Sequence, residues 1–453
     1  MSPASGAADH PLHRVLVIGF AVTGQAMTRA LTAHDIEVVV VDDHPSPVAR
    51  RAAESVAVEL VVAPSVDELA AIVGSVDAVL PSPGVPDRHP AFALAQAVGT
   101  PVLSEFDLAA RWDDRPVLAI TGTDGKTTVT TMVTDMLNAS GRRALAVGNT
   151  EVPLVEAIGR DDLDLFVVEA SSFRLGHTRH FEPAVATWLN FAEDHLDVHE
   201  SLDHYCNAKA RIWADLGPDH GVAVANADDP VVVDRINPAA RTITYGIDRP
   251  ADYRIVGESL VTDAGELLVE RGELWRELPH DLGNALAAAA TALEGGATIP
   301  GVRQALRDFR GLPHRVSFVG EWDGVAWYDD SKATAPHATL AALRGFDSVV
   351  LIAGGQNKGL DLSTLAAGAD HLRAVVAIGD AAPEVVAAFA GVRPVANAVS
   401  MGDAVLAAAE FALPGDVVLL SPGCASFDSY DTYSERGDHF VATVAERIGR
   451  GRP

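Results

Sequence analysis

An α/β chain of three domains built on parallel sheets is predicted, and three observations carry that reading. The 453 residues suffice for roughly three domains. Short apolar runs alternate with helical stretches along the whole length, as in successive βαβ units. Many of these runs end directly in polar or glycine-rich loops, and ligands of open α/β sheets gather at such strand ends.

The first segment, RVLVIGFAVTGQAMTRALTAHDIEVVVVDD, reads as strand Val15 to Ile18, helix to about Ala33 and strand Val38 to Val41. Its turn, Gly19-Phe20-Ala21-Val22-Thr23-Gly24, is a weakened dinucleotide fingerprint, because Ala21 stands where a second glycine belongs. Asp42 ends the second strand, where a carboxylate can bond a ribose or a base. The run Ala78-Val79-Leu80 enters Pro81-Ser82-Pro83-Gly84, a tight turn that reads equally as structural or as a site. Residues 1–107 are therefore expected to form a Rossmann-like N-terminal domain.

In residues 108–312, Pro116 to Ile120 reads as a buried strand and Val129 to Leu137 as a helix, separated by TGTDGKTT. A full phosphate loop is G-x-x-x-x-G-K-[ST], and Ile120 occupies the place of its first glycine. Strand, glycine turn and helix N-terminus still aim backbone N–H groups and the helix dipole at an anion, with Lys126 as a compact charge and Thr127 as a hydroxyl for Mg²⁺. An ordinary glycine turn into a helix is the alternative at this stage. Leu163 to Val168 ends in Glu169, a carboxylate placed as in ATPases that hold Mg²⁺. Ala184 to Leu189 ends in Asn190 to His195, either a solvated loop or a site. The expectation is a central P-loop ATPase-type parallel-sheet domain.

Residues 313–453 are expected to form a second Rossmann-like domain. Strand Val325 to Tyr328 leads into Asp329-Asp330-Ser331-Lys332-Ala333-Thr334 and a helix to about Leu343. Strand Val349 to Ile352 leads into Gly354 to Gly359, Ala374 to Ile378 is a further strand, and Val417 to Leu420 leads into Ser421 to Ser426.

Composition narrows the function. A formal charge of −28 argues against nucleic acid or an anionic membrane as partner. No apolar run reaches the ~18 residues of a membrane span, and the opening MSPASGAADHPLHR has no signal-peptide core, so a cytoplasmic protein is expected. Cys206 and Cys424 lack metal-type spacing, so neither a disulfide framework nor a zinc site is supported. Of the 34 basic residues only Lys126, Lys209, Lys332 and Lys358 are lysine. Lysine is a compact charge that can also react as a neutral amine, whereas guanidinium stays protonated and planar. In so arginine-rich a chain, each lysine marks a position where arginine does not serve.

The order of motifs resembles the Mur ligase family, whose shortened GTxGKT loop accounts for Ile120. The resemblance covers nearly the whole chain after the first dozen residues. It runs through Glu169 to Phe173, Asn190 to His195, Tyr205 to Lys209, His280 to Ala288, Leu312 to Arg315, Asp330 to Thr334, Gly354 to Gly359 and Ser421 to Ser426. Gly19 to Gly24 and Ser82 to Gly84 are most similar to the members that join D-glutamate to UDP-N-acetylmuramoyl-L-alanine. The chain departs from the family pattern at Ala21, Asp124, Asp281, Asp329 and Ala335.

The resemblance implies an ATP-dependent amide ligase working through an acyl phosphate. It implies ATP at Gly122, Thr123, Asp124, Gly125, Lys126, Thr127, Thr128, Asn284, Arg315 and Asp330. It places the UDP substrate at Gly19, Val22, Thr23, Gly24, Asp42, Ser82, Pro83, Gly84, Asn149 and Ser171, and D-glutamate at Lys332, Thr334, Lys358, Ser426, Phe427 and Tyr433. Two Mg²⁺ ions are implied at Thr127, Glu169, His195 and a carbamylated Lys209, with Lys126, His195 and Lys209 as the catalytic set. The partners implied are these small molecules alone, on a monomer. Rival readings are another ligase of the superfamily, a P-loop kinase or regulatory NTPase, and a non-catalytic binder of UDP-sugars.

Overall fold

The computed structural model describes residues 11–196 and 198–447; residues 1–10, on which the reading of the chain start partly rests, lie outside them. The chain forms two compact units, the first comprising residues up to 191, 195–268 and 285–306, the second 192–194, 269–284 and 307 onward.

In the first unit, β1 (Arg14–Ile18), β2 (Glu37–Asp42), β3 (Glu59–Val62) and β4 (Ala78–Pro81) make a parallel sheet in the order β3-β2-β1-β4. Apolar residues alternate between its faces: Val15, Val17, Val38 and Val40 enter one core, and Leu16, Ile18, Val39 and Val41 the other. The chain leaves β1 toward β2 on one side while β4 pairs on the other, which sets the loops after β1 and β4 side by side at a switch point.

A second parallel sheet follows from β5 (Val117–Thr121), β6 (Ala144–Gly148), β7 (Leu165–Glu169), β8 (Val185–Trp188), β9 (Val222–Asn226) and β10 (Arg241–Tyr245), ordered β10-β9-β8-β5-β7-β6. Its central strand β5 lies between β7 and β8, so TGTDGKTT, Glu169 and Asn190 emerge at adjacent strand ends. Phe166, Trp188 and Trp213 share one continuous core with Phe20, Met27 and Phe106, which joins the two sheets into a single unit. The boundary expected near residue 107 falls within the helix Glu105–Trp112.

Beyond these sheets come three short strands, β11 (Arg254–Val256), β12 (Ser259–Val261) and β13 (Leu267–Glu270), in a small sheet that the sequence reading did not anticipate. Strands this short, with no helix between them, carry too little periodicity to be seen.

The second unit is built on β14 (Ser317–Trp322), β15 (Val325–Asp329), β16 (Val349–Gly354), β17 (Leu372–Ile378), β18 (Val395–Ala398) and β19 (Val417–Leu420), ordered β14-β15-β19-β16-β17-β18. All pairs are parallel except the hairpin β14–β15, a departure from the all-parallel sheet expected, because β14 is an edge strand reached by a tight turn at Asp323-Gly324. Val349, Leu351 and Ala353 face one core, Val350 and Ile352 the other. Since β15, β19 and β16 are neighbours, the loops opening at Asp330, Ser421 and Gly354 are neighbours too.

The β1 turn tolerates no side chain at its second glycine. A Cβ on Gly24 would meet the Gly19 carbonyl oxygen at 2.1 Å and Ser82 Oγ at 2.7 Å. Gly24→Ala is therefore expected to lower stability by about 1–3 kcal/mol in denaturant unfolding, and an unchanged midpoint would contradict this packing.

Candidate active site

Helices Pro47–Ser55, Val66–Val73, Glu105–Trp112 and Leu202–Ala210 open on serine caps at Ser46, Ser65, Ser104 and Ser201. The helices Val22–Ala33 and Lys126–Ala139, which follow the two expected ligand turns, have no side-chain cap. Their first N–H groups thus stay available to an anion.

The TGTDGKTT turn is fixed from beneath by one side chain. Asn190 Oδ1 accepts the N–H of Thr123 at 3.0 Å and of Asp124 at 2.8 Å, while Asn190 Nδ2 donates to the Asp124 carbonyl at 3.2 Å. This corrects the expectation that the amides of Thr123 and Asp124 face phosphate: both are taken. The first helical bond runs from Val129 N–H to Gly125 O, which leaves Gly125, Lys126, Thr127 and Thr128 as the uncapped amides of that helix. A Cβ on Gly122 would come within 2.9 Å of Leu189 Cβ, and Gly125 holds φ +82, so both glycines are required by the turn.

Two lysines converge on the Gly122 carbonyl, Lys126 Nζ at 2.9 Å and Lys209 Nζ at 2.7 Å. Lys126 also donates to Thr123 O at 2.8 Å. Lys209 is only 1% exposed, and its ammonium lies 4.5 Å over the Tyr205 ring. Tyr205 in turn donates to Thr123 Oγ1 at 3.2 Å. His195, at φ +57, sets its ring edge-on to Phe173 with centroids 4.9 Å apart.

Glu169 ends β7 in a buried position. Its Oε1 accepts from Asn149 Nδ2 at 2.9 Å, and its Oε2 is buried without a hydrogen-bond partner. A buried carboxylate oxygen left open, at a strand end next to the one that leads into the uncapped helix, suits a hard divalent cation, so this donor fits Mg²⁺.

Arg174, which the sequence reading passed over, organises the other side of this region. Its guanidinium is buried and pairs with Glu105, donates to Asn149 Oδ1 at 3.1 Å and Gly148 O at 3.2 Å, and reaches Thr23 Oγ1 at 3.0 Å. Ser171 Oγ accepts from both the Arg174 main-chain N–H and its guanidinium Nη1, each at 3.4 Å. Three positions expected at the UDP substrate, Thr23, Asn149 and Ser171, are thus brought onto one side chain. At the neighbouring turn Ser82 Oγ donates to Gly19 O at 2.7 Å, and the Asp42 carboxylate accepts the Phe20 N–H at 2.8 Å and the His44 N–H at 2.9 Å. Val22 is exposed, and Pro83 and Gly84 lie beside Ser82, Gly84 with φ +90.

The expected ATP and D-glutamate positions that remain belong to the second unit. Asp330 is buried, accepting from Ser421 Oγ at 2.7 Å and from the Val316 N–H at 3.2 Å. Burial pushes its carboxyl up to about 7. Arg315 and its neighbours stand in a strained turn, with His314 at φ +59 and Val316 at φ +51. Arg276 donates to the carbonyl oxygens of Arg315 and Val316 and pairs with Asp281, the acid at a departure from the family pattern, so that change brings its own counter-charge. Asn284 lies in the helix Pro279–Glu294, three residues on.

Lys332 Nζ sits 3.9 Å over the Tyr433 ring. Buried Arg436, also missed, donates to Ser331 Oγ at 2.9 Å and to the carbonyls of Cys424 and Ala425 at 3.1 Å, tying the loop after β15 to the loop after β19. Ser426 is buried, Thr334 half-buried, and Lys358 and Phe427 exposed.

Family models match in three stretches: a MurD-like Mur ligase N-terminal domain over residues 13–104, a Mur ligase middle domain over 120–292, and a Mur ligase glutamate ligase domain over 314–424. The chain is 43% identical over 448 residues to a protein of Frankia casuarinae named UDP-N-acetylmuramoylalanine--D-glutamate ligase, covering 96% of this chain and 94% of that one. It is 38% identical to a protein of that name from Shouchella clausii, covering 95% and 96% of the two chains. The fold is similar to a pseudomurein peptide ligase type C of Methanothermus fervidus at TM-score 0.58 and 18% identity, over 91% of this chain and 97% of that one. It is similar also to the UDP-N-acetylmuramate-alanine ligase of Thermotoga maritima at TM-score 0.56 and 18% identity, over 96% of this chain and 100% of that one.

Two outcomes follow from these geometries. Arg174→Met leaves the Glu105 carboxylate buried without its cation and is expected to cost about 3–5 kcal/mol in denaturant unfolding; adding Glu105→Gln should recover most of the loss, and no recovery would contradict the pairing. Asp330 has its folded pKa raised to about 7, so the folded state holds the proton more tightly than the unfolded one. Its stabilising share is full below the unfolded value of about 4 and is lost as pH rises through the folded value. Asp330→Asn is therefore expected to flatten the stability profile between those values, measured by unfolding across pH.

Proposed function

The chain belongs to the Mur ligase family, and from that premise we propose how its residues divide the work of an ATP-dependent amide ligase. It joins D-glutamate to UDP-N-acetylmuramoyl-L-alanine in peptidoglycan precursor synthesis. The observation that carries the residue assignment is the convergence of Lys126 and Lys209 on the Gly122 carbonyl, above an uncapped helix.

A substrate carboxylate attacks the γ-phosphorus of ATP and ADP leaves; the D-glutamate amine then attacks the acyl carbon of the resulting acyl phosphate, and phosphate leaves as the amide forms. Both partners of the first step are anions, so cations must dominate the site. The amides of Gly125 to Thr128 and the Lys126 ammonium bind the phosphates. Thr127 and Glu169 would hold one Mg²⁺, and His195 with a carbamate on Lys209 would hold a second. Bound there, such ions would supply charge neutralisation to the reacting anions.

Asn284, Arg315 and Asp330 contact the nucleotide. Gly19, Val22, Thr23, Gly24, Asp42, Ser82, Pro83, Gly84, Asn149 and Ser171 hold the UDP substrate, the first helix offering its N-terminus to the pyrophosphate. Lys332, Lys358, Thr334, Ser426, Phe427 and Tyr433 receive D-glutamate, the lysines as point charges for its carboxylates. Domain limits near residues 107 and 312, a monomeric state and a cytoplasmic location belong to the same reading. Among the described residues no helix is long and apolar enough to cross a membrane.

With ATP, Mg²⁺ and UDP-N-acetylmuramoyl-L-alanine, phosphate release and an amide-linked product are expected with D-glutamate and not with L-glutamate, followed by phosphate assay and product mass. Release indifferent to the amino acid would favour the regulatory-NTPase reading. Lys209→Arg is expected to lower kcat by roughly a hundredfold or more, and short carboxylic acids should partly restore Lys209→Ala. Full activity of Lys209→Arg would remove the carbamate.

A further inference from the structure

Outside the ligase site, the first unit gathers a second set of ligating side chains from segments distant in sequence. Asp87 lies in the turn after β4, His199 in the loop after β8, and His204 in the helix Leu202–Ala210. Asp87 Oδ2 is 3.0 Å from His199 Nδ1 and 2.9 Å from His204 Nδ1. One ligating atom from each of the three lies within 4.8 Å of the others. In a tetrahedral zinc site with N and O ligands the donor atoms stand about 3.3 Å apart, so the two Asp87 edges open slightly and the imidazole pair, within 4.8 Å, adjusts as an ion enters.

The surroundings are those of a built site. His199 is 4% exposed, and its Nε2 lies 2.9 Å from Ser172 Oγ, a second-sphere contact that directs Nδ1 at Asp87. Phe173 and Tyr205 flank the ring, with centroids 5.5 and 5.2 Å away. The Asp87 N–H donates to Val198 O at 3.2 Å, which anchors the carboxylate's own loop. The three side chains border a cavity of about 210 Å³, and the half-exposed His204 leaves a way in. His177 stands at the same wall with Nε2 3.8 Å from Asp87 Oδ1.

We propose that Asp87, His199 and His204 bind one divalent transition metal of the Zn²⁺ class, with water from the cavity as fourth ligand. Two imidazole nitrogens and one carboxylate oxygen suit a borderline ion better than Mg²⁺ or Ca²⁺, which prefer all-oxygen shells. The ion staples the turn after β4 to the helix that carries Lys209. Cysteine spacing alone had spoken against zinc; the site uses none.

The test is titration of chelator-stripped full-length protein with Co²⁺, read by visible absorption, followed by displacement with Zn²⁺. One Co²⁺ per chain with the intense absorption of tetrahedral coordination is expected, displaced by Zn²⁺. Affinity should fall by about a hundredfold or more in His204→Gln and in Asp87→Asn, with both variants matching the stripped wild type in thermal unfolding. Zn²⁺ should raise the midpoint of the wild type and of neither variant. Weak absorption of octahedral type, or binding unchanged in both variants, would overturn the proposal. The readout does not depend on catalysis, so it stands or falls apart from the ligase assignment.

Discussion

The first unit depends on a buried guanidinium. Arg174 sits between the two parallel sheets and divides its donors among Glu105, Asn149, Gly148 and Thr23. A fixed planar fork can do this and a single ammonium cannot. Because Glu105 is wholly enclosed, burial raises its pKa while Arg174 opposes the shift. The pair is therefore a constraint on orientation more than a source of net stability. It fixes where the turn after β1 stands relative to Asn149 and Glu169, and hence where a long substrate can lie.

Much of this was legible in the sequence, for a physical reason. Parallel strands buried on both faces read as apolar runs, and their C-terminal ends carry the polar residues that do chemistry, so β1, β5, β7, β16 and β19 and their loops stood out together. What stayed hidden was of two kinds. β14 and the small sheet β11–β13 have weak periodicity. Arg174, Arg276 and Arg436 are camouflaged by composition: among 30 arginines nothing local separates a buried hub from a solvated surface residue. The rarity of lysine had the opposite effect. Lys126 and Lys209 meet on one carbonyl, and Lys332 covers Tyr433, while Lys358 is exposed.

The same division of labour recurs in the second unit. Arg436 and Arg276 satisfy backbone carbonyls of the loops that carry the motifs, and Asp330, Ser421 and Thr339 close a small buried polar network beside them. Polar networks of this kind rigidify only when complete. The positive φ of His314 and Val316 is held in place by these partners, so strain and its restraint occur together at a loop expected to touch nucleotide.

Asn190 has a chemical lifetime as well as a geometry. Its amide accepts two N–H groups with one end and donates to a carbonyl with the other, and an aspartate of nearly the same shape can do only the first. Asparagine is among the residues most prone to chemical loss on heating. Hydrolysis of this one amide would set a carboxylate oxygen against the Asp124 carbonyl and place a new negative charge beneath the TGTDGKTT turn. The turn is thus held by one neutral amide whose two ends cannot be supplied by an acid.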